Sequence, residues 1–202
     1  ERVTISAITD SEGKTSSYVG LLTDITTGKD YESSLERMAF YDSLTGLPNR
    51  LLFAERINQA MMVSKRLHSM MAVCFLDLDE FKPVNDDFGH SVGDSLLIEM
   101  ANRMQKSIRE SDTVARMGGD EFAILLLNLK SIEECEIIIT KILDSINTPY
   151  ILPNKEDITV SASIGVTLYP HDHVASDTLL RHADQAMYVA KESGKNQYIF
   201  HC

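Results

Sequence analysis

Two adjacent carboxylates that follow a pair of glycines are the first candidates for chemistry in this chain. Residues 118–122 read Gly-Gly-Asp-Glu-Phe and lie between two strand-like runs, 112–117 and 122–129. Gly-Gly between such runs predicts a tight hairpin, because the turn needs positive φ angles that glycine adopts at little cost. We expect Asp120 and Glu121 at its tip, where the bare glycines leave room for a ligand's phosphates. Such carboxylates suit a divalent metal that accompanies a nucleoside triphosphate, and solvated acids on an ordinary hairpin are the alternative.

A second acidic pair, Asp77 and Asp79, lies at the end of a largely apolar run that begins at residue 70. The run predicts a buried strand, and side chains two residues apart point to the same face of a strand. A carboxylate at the end of a buried strand is costly unless something pairs with it. Either both aspartates face water, or a metal shared with the hairpin carboxylates supplies the pairing. Two acidic clusters at strand ends favour the metal.

These motifs, in this order, resemble the GGDEF family of diguanylate cyclases over about residues 41–200. The segments that carry the resemblance are 77–86 (DLDEFKPVND), 88–90 (FGH), 93–94 (GD), 118–122 (GGDEF), an opening segment 42–50 (DSLTGLPNR), and closing segments 183–188 (ADQAMY), 190–191 (AK) and 194–196 (GKN). Lys195 stands where the family often has arginine, which keeps the charge but loses the planar fork of the guanidinium.

The resemblance implies both a fold and a reaction. The fold is α+β (an α/β sandwich), with a mixed central sheet and surrounding helices, like the palm of nucleotidyl cyclases and polymerases. The reaction condenses two GTP into cyclic di-GMP across a homodimer, with Mg²⁺ or Mn²⁺ as cofactor. By resemblance, Asp77, Asp120 and the Leu78 carbonyl are metal ligands. Asp120 or Glu121 would also help remove the proton from the attacking 3′-hydroxyl, and the choice between them stays open.

Asn85 and Asp94 occupy the family's guanine-contacting positions. A carboxylate accepts hydrogen bonds from guanine N1–H and N2–H, whereas adenine would present a bare N1 acceptor. Buried unpaired polar groups cost about 1–3 kcal/mol each, which favours GTP over ATP. Asp94 also suits the first turn of a helix through the helix dipole, and both interpretations can hold together.

The other substrate-binding candidates implied by the resemblance are Lys82, His90, Arg116, Gly118, Gly119, Lys191 and Lys195. The lysines would meet phosphates and offset the acidic charge of the chain. Solvated lysines at the end of a helix are the alternative for Lys191 and Lys195. A histidine such as His90 is more often structural than catalytic, and an exposed strand arginine is the alternative for Arg116.

Arg109 and Asp112 match the Arg-x-x-Asp pattern of the family's product-inhibition site, with five residues between Asp112 and Gly118. Arginine can stack on guanine or fork onto its Hoogsteen edge, and aspartate accepts guanine N–H donors. The resemblance therefore implies inhibition by cyclic di-GMP. The alternative is an arginine that ends a helix and an aspartate that opens a strand.

Two other functions compete with this interpretation. One is a catalytically weak GGDEF module that binds GTP or cyclic di-GMP and regulates an attached EAL-type phosphodiesterase or another effector. The other is an ATP-using cyclase, which Asn85 and Asp94 disfavour.

Composition limits the partners. The net charge of −11 argues against wholesale binding to nucleic acid or to an anionic membrane. The three cysteines are an odd number without metal-type spacing, which favours a reducing cytoplasm. No apolar run approaches a membrane-spanning length. Because the chain starts at Glu1, we expect a piece of a longer protein, and the cytoplasmic part of a membrane-bound bacterial sensor is one candidate.

Patterning and resemblance together predict three segments. Residues 1–28 alternate as strands and resemble the end of a PAS sensor domain, 29–41 predict a linker helix, and the resemblance assigns 42–202 to a GGDEF domain. The linker would pair with its twin in a dimer or pack on its own domain. Within the GGDEF domain the patterning predicts helices from Pro48 to about Leu67 and at 92–108, 132–146 and 180–190, and strands at 70–78, 112–117, 122–129, 158–168 and 197–200.

Overall fold

The computed structural model describes residues 2–9, 11, 13–23, 37–151, 157–172 and 174–201, which divide into two compact units, Glu1–Ala39 and Phe40–Cys202. In the first unit, β1 (Arg2–Thr9) and β2 (Thr15–Thr23) form an antiparallel hairpin. Its PAS assignment stays a prediction. Residues 24–28 of the predicted PAS segment and most of the predicted linker helix lie outside the described residues, although residues 37–40 are helical.

A mixed five-stranded sheet forms the centre of the second unit and confirms the predicted fold class. Its strands are β3 (Met70–Asp79), β4 (Thr113–Gly118), β5 (Glu121–Leu129), β8 (Ser161–Tyr169) and β9 (Gln197–Phe200), in the order β4-β5-β3-β8-β9. Within this sheet β8 and β9 are parallel, and the other neighbours are antiparallel. Two short strands, β6 (Tyr150–Ile151) and β7 (Asp157–Ile158), pair with each other. The predicted strand 158–168 is therefore divided between β7 and β8.

The main helices of the second unit are α1 (Arg50–Leu67), α2 (Phe81–Phe88), α3 (His90–Ser107), α4 (Ile132–Asn147) and α5 (Ser176–Glu192). α1 begins later than predicted, because the Asn49 side chain caps it by accepting hydrogen bonds from the backbone N–H groups of Leu51 and Leu52. Pro48 lies before this cap rather than in the first turn. None of the helices in the described part of the chain is both long enough and apolar enough to cross a membrane.

β3 is buried on both faces, which explains its continuous apolar run. Its even-numbered residues, such as Cys74 and Leu76, join a core cluster with α3 and α4. Its odd-numbered residues, such as Val73 and Phe75, join a second cluster with α1 and α5. Asp77 and Asp79 continue the odd-numbered series, so they emerge on the α5 side of the sheet.

Close packing of α5 on β8 determines which side chains of α5 lie near the end of β3. A Cβ atom at Gly165 would lie 1.9 Å from the Ala183 carbonyl oxygen and 2.1 Å from the Met187 backbone nitrogen. Only glycine allows the helix backbone this near the strand. The close approach brings the end of α5, with Lys191, to the end of β3.

Candidate active site

The two predicted acidic elements lie next to each other at one end of the sheet. Asp77 of β3 is directly opposite Glu121 of β5 in the antiparallel register. The Leu78 backbone N–H donates to the Asp120 carbonyl oxygen at 3.4 Å. Strand pairing thus brings Asp77, Leu78 and Asp120 together, although Leu78 and Asp120 are far apart along the chain.

The hairpin turn is tighter than the sequence indicated. Gly118 pairs with Glu121, so the turn itself contains Gly119 and Asp120, and Glu121 is the first residue of β5 rather than part of the tip. The φ angles are 140° at Gly118 and 54° at Gly119. A Cβ atom on either glycine would meet nothing within 4 Å, so this side of the turn is open to a ligand.

The Arg116 side chain stabilises the turn through hydrogen bonds. Its Nε and Nη2 donate to the Gly119 carbonyl oxygen at 3.0 and 2.7 Å, and its Nη1 donates to both oxygens of Asp42 at 3.0 and 3.2 Å. In this structure the guanidinium that we assigned to substrate therefore holds the glycine turn against the start of the domain. Its planar fork makes this double contact possible.

Asp42 contributes to this arrangement, although sequence reasoning quoted it only as part of a motif. It accepts hydrogen bonds from the backbone N–H and the hydroxyl of Thr45 at 2.8 and 2.7 Å. Burial opposes its ionisation, but these hydrogen bonds and Arg116 lower the pKa of Asp42 below its usual value. The Asp-x-x-Thr spacing is a local signal for such a turn, whereas its link to Arg116 depends on tertiary structure.

Asp77 is buried without a full set of partners. Lys191 Nζ lies 2.6 Å from Oδ1, yet this oxygen has no directed hydrogen bond within the described residues. Burial, together with the negative charges of Asp120 and Glu121, raises the pKa of Asp77 to about 6, although Lys191 acts in the opposite direction. A carboxylate in this state would be stabilised by a second cation. The oxygen donors around it fit Mg²⁺ or Mn²⁺.

Asp79, two residues later, has a different environment. Its oxygens accept hydrogen bonds from the hydroxyls of Ser161 and Ser163, both at 2.7 Å, and from the Asn196 backbone N–H at 3.1 Å. Its carboxylate is buried and well supplied with donors. Asp79 therefore joins β3 to β8 and to the segment after α5.

The loop after α5 and the start of α2 meet beside the acidic residues. Lys195 Nζ lies 2.7 Å from Glu80 Oε1, and this contact raises the pKa of Lys195. Glu80, Lys195 and Asn196 all have positive φ angles, of 59°, 62° and 48°. Such backbone conformations in residues other than glycine are unfavourable and concentrate at functional sites.

The candidate guanine-binding residues lie where α2 and α3 pack together. A Cβ atom at Gly93 would lie 2.0 Å from Asn85 Oδ1, so the absence of a side chain at residue 93 makes room for the Asn85 amide. Asp94 follows on the exposed surface of α3, Lys82 is exposed on α2, and His90 is the first residue of α3. Within the described residues, no side-chain hydrogen bond or ion pair of Lys82, His90 or Asp94 indicates its role.

The candidate inhibitory residues form a closed turn between α3 and β4. Asp112 is buried, and its oxygens accept hydrogen bonds from the backbone N–H groups of Arg109 at 3.1 Å and Leu127 at 3.0 Å. The half-exposed Arg109 side chain pairs with Glu134 at 2.5 Å. A cavity of about 380 Å³ lies beside this turn, with Asp112 and Arg56 in its wall.

Comparison with known proteins gives one family. Residues 39–197 match the family described as "Diguanylate cyclase, GGDEF domain". Among curated proteins, the chain is 43% identical over 166 residues to the bifunctional diguanylate cyclase/cyclic di-GMP phosphodiesterase MucR of Pseudomonas aeruginosa, covering 82% of this chain and 24% of MucR. It is 41% identical over 167 residues to the diguanylate cyclase TpbB of the same species, covering 83% of this chain and 38% of TpbB. The chain therefore spans well under half the length of these relatives.

Solved structures agree on the fold. The crystal structure of the GGDEF domain of TpbB from Pseudomonas aeruginosa matches with a TM-score of 0.76 at 39% identity, over 78% of this chain and 98% of that one. The coiled coil and GGDEF domain of DgcB from Caulobacter crescentus, solved in complex with cyclic di-GMP, matches with a TM-score of 0.78 at 23% identity, over 87% of this chain and 93% of that one. At this identity the second match supports the fold alone.

Proposed function

The chain belongs to the GGDEF family of diguanylate cyclases, and we propose that it condenses two GTP into cyclic di-GMP with release of two pyrophosphates. The observation that carries the proposal is Asp77, a buried carboxylate with an incomplete set of partners directly beside Asp120 and the open glycine turn. A structural aspartate would be satisfied as Asp79 is. Asp77 instead retains the capacity to bind a cation.

Asp77, Asp120 and the Leu78 carbonyl are the proposed ligands of Mg²⁺ or Mn²⁺. A bound divalent cation supplies charge neutralisation on the triphosphate and lowers the pKa of the 3′-hydroxyl. Asp120 and Glu121 are the two side chains positioned to accept the hydroxyl proton, because they lie at and directly after the turn. The choice between them stays open.

Lys191 and Lys195 are the proposed phosphate ligands. Each is paired with a carboxylate of the β3–α2 segment in this structure, Lys191 with Asp77 and Lys195 with Glu80. A metal bound at these carboxylates would leave both ammonium groups available to phosphate oxygens. Lys82 is exposed on α2 and suits the same role.

Asn85 and Asp94 are the proposed guanine ligands, and His90 is a further proposed substrate contact. The packing of Asn85 against Gly93 supports the assignment, because it orients the amide beside the helix turn that carries Asp94. The reaction joins two nucleotides, so we also propose a homodimer with two facing half-sites. The cytoplasmic location predicted from the cysteines stays a prediction.

Arg109 and Asp112 are the proposed inhibitory site for cyclic di-GMP. The adjacent cavity offers room for a base, and the Arg109 guanidinium is exposed enough to leave Glu134. Because Asp112 already accepts two backbone N–H groups, it would contribute only its remaining lone pairs to a ligand.

Incubation with GTP and Mg²⁺, with products resolved by mass, tests the proposed activity. We expect cyclic di-GMP and pyrophosphate from GTP, no cyclic dinucleotide from ATP, and a rate per protomer that rises with protein concentration until the dimer is saturated. GTP left intact by protein that binds it would reject the cyclase and favour a regulatory module. That second candidate has support from a relative, the cyclic di-GMP phosphodiesterase NbdA of Pseudomonas aeruginosa, which is 39% identical over 168 residues.

A further inference from the structure

A second group of possible metal ligands lies at the opposite end of the sheet from Asp77. Asp172 follows β8, His182 is on α5 and His201 follows β9. β8 runs antiparallel to β3, with Ser163 opposite Asp77 and Tyr169 opposite Met71, so the end of β8 is remote from the acidic site. We call these three side chains the Asp172 cluster.

The backbone holds each end of this cluster in place. The Asp172 N–H donates to the Leu168 carbonyl oxygen at 2.7 Å, and the His201 N–H donates to the Val166 carbonyl oxygen at 2.8 Å. His182 lies within α5, whose packing on β8 is set by Gly165. The three donors thus come from separate segments that the sheet and one helix bring together.

The donor atoms of the cluster are close. One ligand atom from each residue lies within 4.8 Å of the other two. His182 Nδ1 is 2.5 Å from Asp172 Oδ2, and His201 Nδ1 is 3.8 Å from the same oxygen. The exposed fractions of the three side chains lie between 18% and 26%, so an ion from solvent can reach them while much of its surface is covered.

We propose that Asp172, His182 and His201 bind a divalent transition-metal ion, with Zn²⁺ as the best match. Two imidazoles and one carboxylate are a common donor set for zinc, and the fourth position would be left to water. Mg²⁺ prefers oxygen donors and does not suit this set. Neither the family assignment nor the proposed reaction uses these residues.

The distances fit zinc after small movements. Ligand bonds of about 2.0–2.2 Å in a tetrahedron place donor atoms roughly 3.3 Å apart. The separations of 2.5 and 3.8 Å lie on either side of that value. Asp172 and His182 therefore need to move apart by under about 1 Å and His201 needs to approach by about half that, to reach the tetrahedral spacing.

One ring must also turn. The imidazoles of His182 and His201 are stacked, with centroids 4.0 Å apart and planes 11° from parallel. A metal lies near the plane of each ring that binds it, and two stacked rings cannot share such a point. His201 is the ring that rotates, because its Nδ1 is 3.8 Å from Asp172 whereas His182 is held at 2.5 Å.

Calorimetric titration of the 202-residue chain with ZnCl₂ tests the site. We expect one Zn²⁺ equivalent that binds at least tenfold more weakly in His201→Ala than in the wild type. Asp77→Asn is the matched control, because it alters the acidic site and leaves the cluster intact, and it should keep the wild-type zinc affinity. Equal affinity in His201→Ala, or loss of binding in Asp77→Asn alone, would overturn the proposal.

A measurement on the unsubstituted protein avoids any effect of the substitution on folding. Diethyl pyrocarbonate modifies accessible imidazoles, and modification of each histidine can be followed by peptide mass spectrometry. We expect Zn²⁺ to slow modification of His182 and His201 at least threefold and to leave the exposed His90 unchanged. Mg²⁺ at the same concentration should protect none of them. Unchanged rates at His182 and His201 with Zn²⁺ would mean that these residues form only an Asp–His ion pair.

Discussion

Two buried aspartates show how the same residue type serves different purposes in this protein. Asp112, in the turn between α3 and β4, has a backbone N–H donor on each carboxylate oxygen. Asp77, at the end of β3, has a lysine ammonium near one oxygen and no directed hydrogen bond to that atom. Each oxygen of Asp112 therefore has a directed donor, whereas Asp77 Oδ1 has none within the described residues. An incomplete environment is costly in a folded protein, so its presence is informative about ligand binding.

Asp79 extends the comparison within a single strand. It lies two residues after Asp77 on the same face, yet two serine hydroxyls and a backbone N–H surround it. Position at the end of a strand therefore does not fix how a carboxylate is surrounded. Asp79 differs from Asp77 in the hydrogen-bond donors that β8 and the segment after α5 supply to it.

The largest expected effect is the loss of activity in Asp77→Asn, which distinguishes Asp77 from Asp79. Asp77→Asn should lower cyclic di-GMP formation by at least about 100-fold, because a proposed metal ligand is lost. It should leave the metal-free protein at least as stable as the wild type at pH 8, since a buried charge is removed. The measurements are a product assay by mass and urea unfolding in EDTA.

Asp79→Asn is the matched counterpart two residues away. We expect a loss of about 1–3 kcal/mol in the free energy of unfolding, because an amide can no longer accept all the hydrogen bonds that the carboxylate receives. If Asp77→Asn destabilised the protein as much as Asp79→Asn does, the distinction between the two aspartates would be wrong.

Arg116→Ala tests whether the contacts of Arg116 with the glycine turn are needed for activity at the Asp77 site. We expect kcat to fall by about 10- to 100-fold, because a small displacement of Asp120 misplaces the reacting groups. Asp42→Ala should have a similar effect, and the double variant should lose little more than either single variant. Fully additive losses would show that the two residues act separately and that Arg116 contacts substrate instead.

The pH dependence should follow the raised pKa of Asp77. Its folded value of about 6 lies above the ordinary 3.8, so the folded protein keeps this proton over a range where the unfolded chain has released it. The contribution of Asp77 to stability without metal is therefore lost as the pH rises from about 4 to 6, and Asp77→Asn should not show this loss. Mg²⁺ competes with the proton, so the Mg²⁺ concentration for half-maximal activity should rise as the pH falls below about 6. Parallel stability curves for wild type and Asp77→Asn would contradict the assignment.

The smallest effects belong to the Arg109–Asp112 turn. Arg109→Ala should leave initial activity intact and weaken inhibition by added cyclic di-GMP. Glu134→Gln should do the opposite and lower the inhibitory concentration about twofold to fivefold, because it releases Arg109 from an exposed ion pair of modest strength. Inhibition curves at fixed GTP measure both effects. The same curve for all three proteins would remove the inhibitory role from this turn.

Several features were predictable from sequence because they depend on local patterns. Continuous apolar runs predicted β3 and β5, and four-residue apolar spacing predicted α3, α4 and α5, to within a few residues. The paired glycines predicted the hairpin, and the order of the motifs indicated the family. The ends of elements were less accurate where a side chain sets them, as Asn49 does for α1.

The roles of individual carboxylates and of Arg116 were decided only by tertiary structure. Asp77 and Asp79 look alike in sequence, and the serines that satisfy Asp79 lie on β8, more than eighty residues away. Arg116 lies two residues before the glycines, but its partner Asp42 is 74 positions earlier. Hydrogen bonding and burial depend on atoms that long-range strand pairing brings together. A one-dimensional pattern carries the type and spacing of side chains, whereas the number of donors around each oxygen is a property of the folded chain.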